Sequence, residues 1–236
     1  MIDVIISSKL RPLKLLTCVD LLFQKSLLPE VSIIVVVDSN DPESITICKS
    51  LEAKYLGRLR YVISSGLNSN VKAYNTGVLS SSKKYVFLMA DDGYMITEGW
   101  DAILLDTFNT YKEYKCIYVP YDNANGRNYF ESVKYPFSFI IDRELFLRLG
   151  LFDERFVRYG ADTHFGMSLL LSGDLFCETK NVLIHHLEEN DELKKINDSI
   201  APLLPDNLLF HSIWDSRKGE LQDRLASIGD VWGKIV

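Results

Sequence analysis

The amino-acid sequence predicts an α/β fold in which a mainly parallel central sheet is covered by helices on both faces. Short apolar runs typical of strands buried on both sides recur along the chain, and in its first half they alternate with helical patterns. Two of these runs also end at aspartates. Strands that alternate with helices are joined by crossovers and therefore lie parallel in one sheet. We expect three layers, with the sheet between two layers of helices.

The first half of the chain repeats the unit of strand and helix four times. Strands are predicted over residues 2–6, 31–37, 59–64 and 85–90. The helices that follow them are predicted from Arg11-Pro12 onward and over residues 43–56, 70–80 and 97–109. Asp41-Pro42-Glu43 provides the cap and first turn of the second helix, because Asp accepts hydrogen bonds from free amides and Pro suits the first helical position.

The second half is less regular. Strands are predicted near residues 116–119, 138–141, 175–178 and 182–185. Helices are predicted over residues 143–149, 163–171 and, near the carboxyl terminus, 219–228. We predict one domain over residues 1–190, followed by a tail over residues 191–236 that packs on it.

Composition excludes several classes of protein. With 236 residues, 47% of them hydrophobic, the chain can build a sizeable core. A net charge of -6 and the lack of a basic run with aromatics argue against a nucleic-acid partner. The four cysteines are far apart, which argues against a thiolate zinc site or a disulfide framework. No leader and no membrane-spanning stretch is recognisable, so we expect a cytoplasmic protein with at most peripheral membrane contact.

Polar and acidic residues follow three of the predicted parallel strands. They are Ser8 and Arg11 after the first strand, Asp38 after the second, and Asp91-Asp92 after the fourth. Ligands of open parallel sheets bind at the carboxyl ends of the strands, so these residues should share one edge. Carboxylates suit this place if they hold a divalent cation or hydrogen-bond a ribose or base. Each aspartate taken alone also fits a turn or a strand-end cap.

Several segments resemble, in order, the motifs of glycosyltransferase family 2, the inverting enzymes of the Rossmann-like GT-A fold. Residues 4–12 are similar to the opening strand and its loop, and residues 35–39 to the strand end "V-V-D-D-x-S". Residues 87–92 are similar to "F-L-D-A-D-D", and residues 150–156 with 159–162 to "G-x-F-D-E-x-F" and the "G-E-D" loop. Gly66, Ala73, Asn75 and Gly77 fit the segment "G-x-x-x-A-R-N-x-G". The chain departs from these patterns at Met89, Tyr74 and Ala161, where the family has Asp, Arg and Glu.

The resemblance implies roles for individual residues. A nucleoside diphosphate sugar, most often a uridine one, would contact Ser8, Arg11, Asp38, Lys72, Asn75 and Asp91. Mn²⁺ or Mg²⁺ would be held by Asp91 and Asp92, together with His186 or His185. Asp162 would be the general base for a glycan or other acceptor hydroxyl.

Further residues are assigned to the acceptor side. Trp100 and Asp153 are weaker candidates there, since the Trp100 ring also suits a core anchor and Asp153 also suits a loop cap. The tail would serve as a lid or as an acceptor-side element.

Two other functions stay open at this stage. The chain could be a non-catalytic module that binds nucleotide sugars, with Met89, Tyr74 and Ala161 recording lost chemistry. It could also be another nucleotide-dependent transferase, such as a nucleotidyltransferase, although residues 7–11 lack the glycines of a phosphate loop.

Overall fold

An eight-stranded, mainly parallel sheet forms the centre of the structure. The computed structural model describes residues 1–64, 69–122, 129–157, 159–187 and 203–236. The strands are β1 (Ile2–Ser8), β2 (Ser32–Asp38), β3 (Leu59–Ser64), β4 (Tyr85–Ala90), β5 (Gly93–Met95), β6 (Tyr114–Tyr118), β7 (Tyr129–Phe130), β8 (Val133–Lys134), β9 (Phe139–Asp142), β10 (Leu175–Glu178), β11 (Ile184–His186) and β12 (Lys234–Ile235). The central sheet has the order β12-β10-β6-β9-β4-β1-β2-β3, and β9 is antiparallel to both of its neighbours.

Helices cover both faces of this sheet, as predicted. They are α1 (Pro12–Gln24), α2 (Pro42–Lys54), α3 (Asn70–Ser80), α4 (Trp100–Thr110), α5 (Arg143–Arg148), α6 (Ala161–Ser172), α7 (Leu203–Trp214) and α8 (Lys218–Ile228). Side chains from α1, α2 and α4 share one core cluster, and those from α3, α5, α6, α7 and α8 share the other. Along β1, Val4 and Ile6 face the first cluster and Ile5 the second, which is why the strand is continuously apolar from Val4 to Ile6. The three-layer prediction is confirmed.

Elements with strong local patterns begin and end where the sequence predicts. The predicted bounds of β3, α3, β4 and β10 agree with the observed ones, and Asp41 caps α2 by accepting from the Ser44 N–H. The predicted start of α4 at residue 97 was wrong, because Gly99 adopts a positive φ of 67° and the helix begins after it. Gly66, the boundary at residue 190 and most of the polar loop over residues 122–127 lie outside the described residues.

Five elements had no clear local signal. Strands β5, β7 and β8 consist of two or three residues each, and β12 adds two exposed residues to the edge of the central sheet. Helix α7 falls in the predicted tail, where it buries Phe210 and Trp214. Within the described part of the chain, no helix is both long and apolar enough to cross a membrane.

Helix α3 packs closely on the sheet because Gly77 has no side chain. A Cβ atom at Gly77 would overlap the Cγ2 atom of Ile5 and lie 3.1 Å from Cγ2 of Val36. This contact places the first turn of α3 beside the strands that carry the polar edge residues.

Gly77→Ala should therefore destabilise the protein. The added methyl group must displace Ile5 or the helix, and overpacking of this kind costs about 1–3 kcal/mol. Urea unfolding followed by circular dichroism measures the loss. Gly219→Ala in α8 is the control, because its Cβ would meet no atom within 4 Å and alanine favours a helix. Equal stability of Gly77→Ala and the wild type would contradict this account of the packing.

Candidate active site

The polar residues after β1, β2 and β4 meet at one edge of the sheet. These strands are neighbours, and their register pairs Ser8 with Val37, Asp38 with Ser64 and Ser7 with Ala90. All three strands are parallel, so their carboxyl ends lie at the same level. Ser8, Asp38 and Asp91 are all less than a tenth exposed, so this edge is a buried polar cluster.

The guanidinium of Arg11 joins the two acidic residues after β4. Its Nη1 atom lies 3.1 Å from Oδ1 of Asp91 and 2.6 Å from Oδ2 of Asp92. Ser8 donates its hydroxyl to Oδ2 of Asp91 at 2.7 Å. Two adjacent carboxylates can be buried here because the Arg11 guanidinium offsets their negative charge and the Ser8 hydroxyl donates a hydrogen bond. The predicted site residues Ser8, Arg11, Asp91 and Asp92 therefore form one constellation.

The two carboxyl groups have different proton affinities. Burial raises the pKa of Asp91 to about 6, even though Arg11 and Ser8 act in the opposite direction. Burial also acts to raise the pKa of Asp92, but His186 and Arg11 hold it below its usual value. Asp92 therefore has the lower pKa of the two and keeps its negative charge to lower pH than Asp91 does.

One of the two candidate histidines reaches this cluster. Strand β11 pairs with β5, and the register sets His186 opposite Gly93, next to Asp92. The Nε2 atom of His186 lies 3.7 Å from Oδ2 of Asp92, and its ring stacks on Tyr121 with centroids 4.7 Å apart. His185 points to the other side, where its Nδ1 lies 3.0 Å from Oδ1 of Asp122. The alternation of side chains along a strand explains the difference.

Two further contacts fix the loop after β1. Lys9 forms an ion pair of 2.9 Å with Asp38, and the backbone N–H of Leu10 donates to Asp41. Leu10 has a positive φ of 55°, a conformation that this hydrogen bond helps to hold.

Sequence reasoning missed Lys9 and Tyr121 as parts of the site. Lys9 follows the candidate Ser8 in the sequence, whereas Tyr121 adjoins no candidate residue, so its contact with His186 could be found only in the fold.

Asp162 occupies the first turn of α6 and is half-buried. Its Oδ1 atom accepts the Thr163 N–H at 2.8 Å, and burial raises the pKa of its carboxyl. Tyr74 connects this residue to the acidic pair: burial raises the pKa of the Tyr74 phenol, and the charges of Asp91, Asp92 and Asp162 all add to the shift. All three carboxyl groups are therefore close enough to Tyr74 to act on its phenol.

Two other predicted residues have structural positions. Asn75 is buried, and its amide donates to the Phe152 carbonyl at 2.9 Å and to Glu154 at 3.1 Å while accepting the Phe152 N–H. Trp100 is fully buried and donates to the Leu22 carbonyl. In this structure the Asn75 amide organises a loop, and the Trp100 ring anchors α4 in the core.

Lys72 and Asp153 lie at two different places around the site. Lys72 is in the first turn of α3, which follows β3 and so begins at the polar edge of the sheet. Asp153 forms an ion pair with Arg155 and lies 3.9 Å from Nε2 of His164. Together with Asn75, Glu154 and His164, it lines a cavity of about 420 Å³.

The carboxylates of Asp91 and Asp92 are suitable ligands for a divalent cation, but two carboxylates do not make a complete ligand set. Among the described residues, no cluster of three or more His, Cys, Asp and Glu side chains is arranged to hold a metal. Oδ1 of Asp92 is nevertheless buried without a hydrogen-bond partner in the described part of the chain. A buried carboxylate oxygen without a hydrogen-bond partner is a suitable ligand for a divalent cation. The remaining ligands of such a cation could be oxygens of a bound diphosphate.

A three-layer α/β fold with an acidic carboxyl edge on a mainly parallel sheet defines the chain as a GT-A protein. The chain belongs to glycosyl transferase family 2, and the family model matches residues 3–165. The motifs predicted from the sequence lie inside that range, except for the histidines of β11. A comparison with curated proteins finds no match.

Solved glycosyltransferase structures share the fold. The mannosyltransferase PcManGT from Pyrobaculum calidifontis, in complex with GDP-Man and Mn2+, aligns over 97% of this chain and 75% of its own, with a TM-score of 0.68 and 14% identity. S. aureus TarS 1-349 in complex with UDP-GlcNAc aligns over 82% of this chain and 60% of its own, with a TM-score of 0.61 and 16% identity. S. aureus TarS, with a TM-score of 0.60 and 15% identity, aligns over 80% of this chain, which spans 35% of TarS.

Arg11→Gln should strongly destabilise the protein near pH 7, because it leaves two buried carboxylates without their cation. Breaking a buried ion pair costs roughly 3 kcal/mol. Chemical unfolding at constant pH measures the free energy of unfolding. Arg148→Gln is the matched control, because Arg148 is 61% exposed and its pair with Asp174 should contribute less than about 1 kcal/mol. Equal losses in the two variants would show that the Arg11 pairs are not important for stability.

Proposed function

We propose that this chain transfers a sugar from a nucleoside diphosphate sugar, with a uridine donor favoured, to an acceptor hydroxyl. The transfer inverts the anomeric carbon and is assisted by a divalent cation. The observation that carries the proposal is the buried pair of Asp91 and Asp92 at the carboxyl edge of the sheet, with Asp162 near the same Tyr74 phenol. Family membership and the nucleotide-sugar complexes of the structural neighbours support the same donor class.

The donor would lie along the edge formed by β1, β2 and β4. Asp38 and Ser8 offer an acceptor and a hydroxyl to the ribose or base. Arg11 supplies a cation for the diphosphate, and Lys72 adds charge at the first turn of α3, where helix amides also favour anions. Because Arg11 pairs with Asp91 and Asp92 in this structure, we propose that it exchanges carboxylate partners for phosphate oxygens when the donor binds.

Asp91, Asp92 and His186 are the residues that would hold Mn²⁺ or Mg²⁺. Such a cation would stabilise the negative charge that develops on the departing diphosphate. His186 is preferred over His185 because it lies beside Asp92, whereas His185 pairs with Asp122.

Asp162 would act as the general base. It takes the proton of the acceptor hydroxyl while the acceptor oxygen bonds to the anomeric carbon. On the opposite face, the bond from that carbon to the diphosphate oxygen breaks and its electron pair leaves with the diphosphate. A carboxylate with a raised pKa holds the accepted proton more firmly, which suits this role.

Two departures from the family pattern offset one another in formal charge, because Tyr74 replaces an Arg and Met89 replaces an Asp. The Tyr74 hydroxyl donates to the backbone carbonyl of Met89 at 3.0 Å, while the Met89 side chain packs in the other core cluster. This arrangement favours a working variant of the site over a decayed one, and the third departure, Ala161, is buried next to a retained Asp162.

Asp91→Asn should weaken the binding of uridine diphosphate in the presence of Mn²⁺ by about 10- to 100-fold, because one carboxylate is lost from the cation's surroundings. Isothermal titration calorimetry with and without Mn²⁺ measures the effect, and parallel titrations with guanosine diphosphate test the preference for uridine. Asp20→Asn on the surface of α1 is the control and should bind like the wild type. Unchanged affinity in Asp91→Asn would remove Asp91 from the donor site.

Asp162→Asn should bind nucleotide like the wild type but transfer sugar roughly 10²- to 10⁴-fold more slowly, because the amide cannot accept the hydroxyl proton. A screen of uridine and guanosine diphosphate sugars with detection of the released diphosphate measures turnover. Asp174→Asn, which changes a carboxylate away from the site, is the control. Near-normal transfer by Asp162→Asn would rule it out as the base. Nucleotide binding without turnover in the wild type would favour a non-catalytic module.

A further inference from the structure

Helix α7 presents three buried side chains at a spacing of four residues: Asp206, Phe210 and Trp214. This spacing places them on one face of the helix. The face lies against the segment that leads into α6 and against the first turns of α6 itself. Asp206 is the only charged member of the three and is 2% exposed.

Each of the three residues contacts the chain around Asp162. Asp206 accepts the N–H of Val157 at 3.0 Å and the N–H of Tyr159 at 2.9 Å. An added Cβ at Gly160 would lie 3.5 Å from the Phe210 ring. Trp214 donates its indole N–H to Nδ1 of His164 at 3.1 Å. The contacts fall on both sides of Asp162 in the sequence.

The segment before Asp162 is anchored at one end by Phe156, which is buried in the core. The side chains of Val157 and Tyr159 are 41% and 37% exposed, so apolar burial contributes little to their position. Gly160, the N-cap residue of α6, has a positive φ of 79°. Between Phe156 and the start of α6, the Asp206 carboxylate holds the backbone amides of Val157 and Tyr159.

We propose that Asp206 is a positioning residue for the base: by holding the amides of Val157 and Tyr159, the buried face of α7 sets the start of α6 and so places the Asp162 carboxylate. This inference rests on the proposed role of Asp162. It gives helix α7 a part in the chemistry without direct contact with substrate. Phe210 and Trp214 support the same placement through Gly160 and His164.

Asp206→Asn tests the inference, because an amide keeps the size of the side chain but offers one acceptor to two donors. We expect amide hydrogen exchange over residues 156–162 to become about tenfold faster or more. We expect kcat to fall roughly 10- to 100-fold with the donor KM within about twofold of the wild type, since a small misplacement of a reacting group is costly while donor binding is untouched. Asp215→Asn, a 54% exposed carboxylate just after α7, is the control and should match the wild type in both measurements.

Three results would overturn the inference: wild-type exchange in Asp206→Asn, faster exchange with an unchanged kcat, or a raised donor KM with an unchanged kcat. Trp214→Phe is the second variant in case Asp206→Asn does not fold. It removes the hydrogen bond to His164 but keeps a ring, and we expect a smaller drop in kcat with an unchanged donor KM. A wild-type kcat in Trp214→Phe would count against the positioning role of this helix face.

The exchange measurement also separates this inference from the proposed function. A wild type that binds no nucleotide would refute the donor site, whereas exchange in Asp206→Asn would still report on the contact between α7 and the segment. Slow transfer by Asp162→Asn together with normal transfer by Asp206→Asn would uphold the base and refute the positioning role.

Discussion

The contact of Arg11 with Asp91 and Asp92 is the constraint on which the rest of the site depends. Two adjacent carboxylates at the end of a buried strand would repel one another and lose their hydration, so they need a compensating cation. Arg11 provides it across 80 residues of sequence, and Ser8 adds a hydrogen bond from the neighbouring strand. The loop after β1 must therefore fold over the end of β4, which closes this edge of the sheet into a polar cluster.

Further contacts at the same edge hold this arrangement in place. Lys9 binds Asp38 at the end of β2, and Asp41 holds the backbone of Leu10 while it caps α2. The loop after β1 is thus fixed to both of its neighbouring strands by contacts within the chain itself.

The two halves of the sheet contribute different parts of the site. The parallel strands β1, β2 and β4 carry the residues proposed for the donor, and the region beyond the antiparallel β9 carries α6 with the proposed base. The Tyr74 phenol is near both groups of carboxylates, and its hydroxyl donates to the Met89 carbonyl. Helix α7 then holds the segment before Asp162 through the buried carboxylate of Asp206. Acidic side chains are thus proposed to serve two purposes here, one in the chemistry and one in holding the fold.

The sequence by itself determined the parts of this protein that depend on local patterns. The apolar runs and helical periods predicted the three layers and the bounds of β3, α3 and β4, and the parallel sheet then implied that Ser8, Asp38 and Asp91 share an edge. Tertiary structure alone decided which side chains pair. The β5–β11 register selected His186 over His185, and Asn75 and Trp100 took structural positions. The role of α7 also emerged only in the fold, because contacts between residues 40 to 100 positions apart leave no period in the sequence, and a buried polar group is defined by the partner that satisfies it.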